Sequence, residues 1–103
     1  MTSVRFEWDE AKNLPNQRKH DGVSFEEALC VFQDPLHVSV QDRVVDGEQR
    51  WQTVGAVQGF LILVVAHTFT EDHADSGSVE IIRIISARRA TTRERRRYEY
   101  EDG

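Results

Sequence analysis

Residues 60–66 read Phe-Leu-Ile-Leu-Val-Val-Ala, and this run restricts the fold more than any other feature of the chain. It is far shorter than the roughly 18–20 apolar residues a membrane-crossing helix needs. It shows no polar alternation, so neither of its faces suits water. It therefore reads as a strand at the middle of a sheet, covered on both sides. At 103 residues the chain is expected to form one domain, 1–103, around a single modest core.

The flanking segments supply the rest of a sheet. Residues 36–45 alternate near their start, Asp46-Gly47-Glu48 is a hairpin turn signal, and residues 49–57 form a second strand. Gln58-Gly59 turns the chain into the apolar strand, which runs over 60–68. Residues 69–78 are polar and read as a loop, and 79–87 read as a fourth strand.

Two helices come before the sheet. Asp9 is a plausible cap for a polar helix that runs to His20, with Pro15 inside it forcing a kink or a late start. Ser24 with Glu27 three residues on makes a capping box. Phe25, Ala28, Leu29 and Phe32 then fall on one helical stripe. Thr91 and Glu94 repeat the capping box and open a C-terminal helix to about Glu99. The expected fold class is α+β: two N-terminal helices, a four-stranded antiparallel sheet and a C-terminal helix.

Charge singles out the end of the chain. The net charge is −5, yet six arginines crowd into positions 88–97. Residues 83–97 carry about +6, which leaves about −11 on the remainder. Such a patch fits nucleic acid or an acidic protein partner. It also fits a solvated helix with ion pairs such as Arg95–Glu99. The large apolar residues of that helix are Tyr98 and Tyr100 alone, so it packs poorly on its own core. The N-terminus lacks the basic start and apolar stretch of a secretory signal. Cys30 has no second cysteine to pair with. Both suggest a reducing, cytoplasmic setting with no membrane partner.

The segments FEWDEAKNLPNQRKHDGVSFEEA, VFQDP, DGEQRW and RIISARRATTRERRRYE, in that order, resemble the BrnT family of bacterial toxins. The resemblance spans Phe6 to Glu99. It implies a RelE-like fold, ribonuclease activity that blocks translation, and neutralisation in a hetero-oligomer with a BrnA-type antitoxin. That antitoxin would carry a ribbon-helix-helix part, and the complex would bind operator DNA. With a sequence pI near 5.3, RNA affinity here must rest on a local basic patch.

Metal-free RNA cleavage needs the 2′-hydroxyl deprotonated, the phosphorane stabilised and the leaving 5′-oxygen protonated. Arginine suits the second task, because its planar fork matches phosphate oxygens. Arg83 and Arg88 are the first candidates, although Arg83 could equally pair with a carboxylate such as Glu48. Strict alternation puts Arg83 and Arg88 on opposite faces, unless the turn at Ala87 re-aims Arg88. His20 suits proton transfer near neutral pH. Lys12, Asn16, Lys19 and His20 share a helical face that could grip phosphates, while Lys19 and His20 also suit a helix C-terminus. Glu94 could be a base or only a capping residue. Tyr98 could stack on a base, donate a proton or anchor its helix. Arg93 and Arg97 are candidate RNA contacts, and Arg93, Arg96 and Arg97 candidate antitoxin contacts. His67, Asp72, His73 and Asp75 match no compact ligand spacing, so neither a metal nor another cofactor is expected. The alternative function is a non-enzymatic module whose arginine helix docks a DNA-binding partner as co-repressor.

Overall fold

The computed structural model describes residues 2–74 and 77–102. The chain begins with strand β1 (Thr2–Trp8), a 3-10 turn (Glu10–Lys12), helix α1 (Asn13–Lys19) and helix α2 (Phe25–Val31). Strands β2 (Val38–Val45), β3 (Glu48–Val57), β4 (Leu61–Ala74) and β5 (Gly77–Arg89) follow, and helix α3 (Thr92–Asp102) closes the chain. The sheet order is β1-β5-β4-β3-β2. The apolar run thus lies in the middle strand, and the fold is α+β as expected.

The sheet differs from expectation in two ways. It has five strands and is mixed, because β1 lies parallel to β5 while the other neighbours are antiparallel. Val4, Phe6 and Trp8 alternate with Arg5 and Glu7, which is a strand pattern. Its partner, however, starts at Ser78, opposite Thr2. Second, most of the polar stretch 69–78 is strand: β4 continues to Ala74 and β5 starts at Gly77. These residues are polar because they extend past the covering helices, not because they leave the sheet. Asp75 lies outside the described residues.

One face of the sheet carries α2. Phe25, Ala28 and Val31 are buried against Val57, Leu63, Val65, Ile84 and Ala87. The Ser24–Glu27 capping box forms, with Ser24 Oγ accepting from Glu27 N–H at 3.0 Å and the Glu27 carboxylate accepting from Ser24 N–H at 3.0 Å. Pro15 is the third residue of α1. Its missing N–H therefore falls in the first turn, where no intrahelical bond is lost. The helix starts late, after the 3-10 turn.

Two buried asparagines fix α1. Asn13 accepts from Phe25 N–H at 2.9 Å and donates to Glu26 at 2.6 Å, tying α1 to α2. The β1 ladder ends at Trp8 opposite Ile84, so the edge of β5 beyond it has no strand partner. Asn16 takes that edge. It donates to the Ala87 carbonyl at 2.9 Å and accepts from the Ala87 N–H at 3.2 Å. Asn16 therefore faces the sheet and does not join Lys12, Lys19 and His20 on an outward face. No helix among the described residues is long and apolar enough to cross a membrane.

Helix α2 crosses β3 at Gly55, where a Cβ would stand 2.8 Å from Val31 Cγ1 and 3.0 Å from the Val31 carbonyl. Gly55→Ala should therefore push α2 off the sheet. The expected cost is about 1–3 kcal/mol, as for other overpacked cores. The melting temperature should then fall by on the order of 5–15 °C for a chain this size. An unchanged thermal unfolding midpoint would refute this packing.

Candidate functional site

The face of the sheet opposite α2 carries the basic chemistry. Cross-strand register places Glu7, Arg83, Thr68 and Arg50 side by side on β1, β5, β4 and β3. A small cavity of about 100 Å³ opens among Arg83, Arg50, Thr68, Lys12, Asp9 and Glu48. Arg83 is exposed and makes no ion pair among the described residues. The Glu48 carboxylate goes instead to Arg50, at 3.3 Å. The buried Nε of Arg50 has no hydrogen-bond partner among the described residues. A buried guanidinium N–H without an acceptor is costly, and an anion in the cavity would satisfy it.

Arg88 reaches this same face because β5 is bulged. Ile84 lies opposite His67 and Ser86 opposite Ala66, so Ile85 is an extra residue. The bulge shifts the alternation by one position. Arg83 sits opposite Thr68 and Arg88 opposite Val64, and Thr68 and Val64 share a face. The two arginines are four residues apart along β4, roughly 13 Å. It is the bulge at Ile85, and not the turn at Ala87, that re-aims Arg88.

Arg88 is nonetheless committed. Its Nη1 and Nη2 donate to Glu94 Oε1 and Oε2 at 2.7 and 2.9 Å. Glu94 also closes the capping box with Thr91, accepting from Thr91 N–H at 2.9 Å while Thr91 Oγ1 accepts from Glu94 N–H at 3.2 Å. The fork of Arg88 and the Thr91 bonds outweigh the cost of burial and bring the Glu94 carboxyl down to about 2. Such a carboxylate is a poor proton acceptor near neutral pH. The geometry gives Arg88 and Glu94 the task of holding α3.

Tyr98 holds the other end of α3. Its hydroxyl donates to Asp34 Oδ2 at 2.5 Å. Asp34 also accepts from Ala56 N–H at 2.8 Å and Leu36 N–H at 3.0 Å. Burial pushes the Asp34 carboxyl up, but the bonds from Tyr98 and the two amides outweigh it and hold it below its ordinary value. Helix α3 thus lies across β2 and β3, with Glu94, Arg97 and Tyr98 lining a small hollow against Val38, Val40, Gln52 and Val54. Arg93 and Arg96 are exposed on the helix.

The structure therefore brings Lys12 and Arg83 together, while Arg88, Glu94, Arg97 and Tyr98 lie on the same side of the sheet but outside that cavity. Lys19 and His20 stand at the far end of α1, one turn past Asn16, and do not line the cavity. Sequence reasoning missed Arg50. Alternation within residues 49–57 puts it opposite Trp51, but its place beside Arg83 needs the register of three strands. His67 is also not a ligand in a loop: its ring is buried in β4. Among the described residues, no three His, Cys, Asp or Glu side chains converge as a metal would need.

Glu94→Gln tests the helix clamp. Because the Glu94 carboxyl lies below its ordinary value, its stabilisation is complete above about pH 4.5 and is lost as pH falls toward 2. The substitution should cost on the order of 1–2 kcal/mol at pH 7 after solvent screening. The difference from wild type should shrink in acid denaturation series between those two pH values. A difference that stays constant down to pH 2 would contradict the clamp.

Residues 8–94 match the model of a family described as the ribonuclease toxin, BrnT, of type II toxin–antitoxin systems. The chain is also similar to the crystal structure of the Brucella abortus ribonuclease toxin BrnT. Identity is 22%, with 89% of this chain and 99% of that one covered, at a TM-score of 0.45. A search of the curated proteins finds no match.

Proposed function

The chain belongs to the BrnT family of ribonuclease toxins of type II toxin–antitoxin systems, and from that premise we propose a metal-independent endoribonuclease that acts on the α3 face of the sheet. The observation that carries this is the cavity where Arg83 and Lys12 meet the unsatisfied Nε of Arg50. Three cationic side chains converge there with two carboxylates, Asp9 and Glu48, on the same lining; Glu48 is paired with Arg50, which leaves Arg83 and Lys12 to meet a phosphate. In attack by a 2′-hydroxyl, negative charge builds on the phosphorane oxygens, and fixed guanidinium groups stabilise it most at that moment. Arg83 is the group proposed to touch those oxygens, with Arg50 and Lys12 beside it. Arg88, Glu94 and Tyr98 act by holding α3 over the sheet. The antitoxin is proposed to be of the BrnA type, with a ribbon-helix-helix part that takes the complex to operator DNA.

Arg83→Ala should lower the cleavage rate by on the order of 10²–10³. Its thermal stability should stay near wild type, since the side chain is exposed and unpaired among the described residues. Wild-type cleavage should persist in EDTA and leave 2′,3′-cyclic phosphate ends. Activity that disappears in EDTA and returns with Mg²⁺ or Mn²⁺ would overturn the metal-independent route. An Arg83→Ala variant as active as wild type would overturn the assignment of Arg83.

The exposed arginines of α3 extend this surface, and we propose that RNA and antitoxin compete for them. The triple variant R93A/R96A/R97A should weaken binding of both. Each lost phosphate contact should flatten the salt dependence of RNA binding by about 0.7 in log–log slope for a single strand. A triple variant with the wild-type slope and wild-type antitoxin affinity would leave these arginines as a solvated helix face.

A further inference from the structure

The α2 face of the sheet is only half covered. Helix α2 has seven residues and covers the sheet from Ile84 and Val65 toward Leu63 and Val57. Beyond it, two cross-strand rows share that face, Phe6–Ile82–Phe69 and then Val4–Glu80–Glu71, with Ile82 buried and Phe6 packed on Phe32 at 5.1 Å between ring centroids. Val4, Phe6, Phe69, Glu80 and Ile82 line a groove of about 550 Å³ together with Phe32 and Trp51, and Glu71 lies across from Glu80 beyond its lining. Val4 and Phe69 on its wall are 48% and 39% exposed. Apolar surface this concentrated marks a binding site more often than free surface.

Apart from the Trp51 indole N–H, the polar groups of the groove are biased toward accepting. His67 on the floor has Nδ1 at 3.0 Å from the Thr68 carbonyl, which can only accept, so Nδ1 carries the hydrogen. Burial pushes the imidazole below its ordinary value and keeps it neutral. Its Nε2 then accepts from Thr53 at 2.7 Å, and Thr53 Oγ1 in turn accepts from Ser39 at 2.7 Å. Each hydroxyl hydrogen points inward, which leaves Ser39 at the rim with acceptor lone pairs only. His37 Nδ1 donates to the Asp34 carbonyl at 2.7 Å. Glu71 and Glu80 add two carboxylates directly opposite each other across β4 and β5. Like charges in that position repel. The nearby cation is His73, 4.0 Å from Glu71 and charged only when protonated.

We propose that this groove seats the antitoxin, through a segment that places aliphatic or aromatic side chains against Phe6, Phe32, Trp51 and Phe69 and a lysine or arginine on Glu80 and Glu71. The inference rests on the toxin–antitoxin reading above and gives that partner a second surface, away from the RNA face. The carboxylates at the rim select the occupant. RNA phosphates bring further acceptors and negative charge to a carboxylate pair. A second copy of this chain related by a two-fold axis would set one acidic pair against another. A cationic, amphipathic protein segment supplies both the donors and the apolar surface.

The test compares Glu80→Arg and Phe69→Asp with wild type in calorimetric titration against the purified cognate antitoxin, alongside an RNA cleavage assay. Both variants should lose on the order of 10- to 100-fold in antitoxin affinity, as for central interface residues. Their cleavage of RNA should stay within about two-fold of wild type, because Arg83 and Arg50 lie on the other face. Hydrogen exchange on the wild-type complex needs no substitution, and should show new protection at residues 4–6 and 80–82. The proposal is overturned if both variants bind antitoxin normally, or if those amides exchange as fast in the complex as in the free toxin. It is also overturned if isolated wild type is a dimer that both variants dissolve with no loss of antitoxin affinity. A wild-type chain that binds the antitoxin but cleaves no RNA would sink the ribonuclease mechanism and leave the groove standing. One that cleaves RNA but is not bound by the antitoxin would sink the groove and the antitoxin role of the α3 arginines, and leave the ribonuclease mechanism standing.

Discussion

Register in β5 slips by one residue at Ile85, and the placement of everything downstream depends on that slip. Before the bulge, Ile82 and Ile84 point to the α2 side and Arg83 to the other. After it, Ala87 takes the α2 side and Arg88 the Arg83 side. Without the extra residue, Arg88 would point into the α2 core and Ala87 away from it. A buried guanidinium there, with no carboxylate in reach, would be prohibitive. The same slip sets the Ala87 amide and carbonyl at the strand edge where Asn16 meets them. One unpaired residue thus fixes the seats of both α1 and α3.

What was legible in the sequence was local. The capping boxes at Ser24–Glu27 and Thr91–Glu94 use side chains and amides three residues apart, and both form. The Asp46-Gly47 turn was equally readable, because both residues must take positive φ and both do. The apolar run in β4 identified the middle strand. What escaped depends on distant partners. Strand β1 alternates correctly, but it is a strand only because β5 passes beside it much later in the chain. The polar continuations of β4 and β5 look like loop by composition, since neither face there lies under a helix. Asp34 sits in a helix-ending segment and gave no sign that it would receive Tyr98. Arg50 became visible as a site residue only with the register of β3, β4 and β5. The apolar groove was hidden for the same reason, because its rows join residues from opposite ends of the chain.

The charge split of the sequence maps onto the sheet as two unlike faces. The α3 face presents Arg50, Arg83, Arg88 and the arginines of α3. The α2 face presents apolar rows ending in Glu71 and Glu80. A chain of net −5 repels RNA at long range, but fields from single groups fall off within about 8–10 Å at physiological salt. At contact distance the local guanidinium groups decide the outcome. A single sheet layer can thus present a phosphate-binding face and a cation-binding face together, provided that its strands keep their register.

An antitoxin confined to the groove would leave Arg83 open, because the sheet itself lies between them. Silencing the enzyme from that side therefore needs a connection around the β2 edge, and the segment between α2 and β2 is placed to provide it. Phe32 and His37 line the groove, with ring centroids 6.2 Å apart. Between them in the chain, Asp34 holds the Tyr98 hydroxyl of α3 and the Ala56 amide of β3. The Asp34 carbonyl takes the His37 imidazole. A ligand that pressed on Phe32 and His37 would act on the same short segment that anchors the arginine helix. Another tie of α3 to the sheet, the bidentate Arg88–Glu94 pair, is partly exposed and worth on the order of 1–2 kcal/mol, which the binding energy of a partner can offset. Partner binding and RNA binding can then oppose each other in two ways, by occupying the arginines of α3 directly or by releasing the helix that presents them.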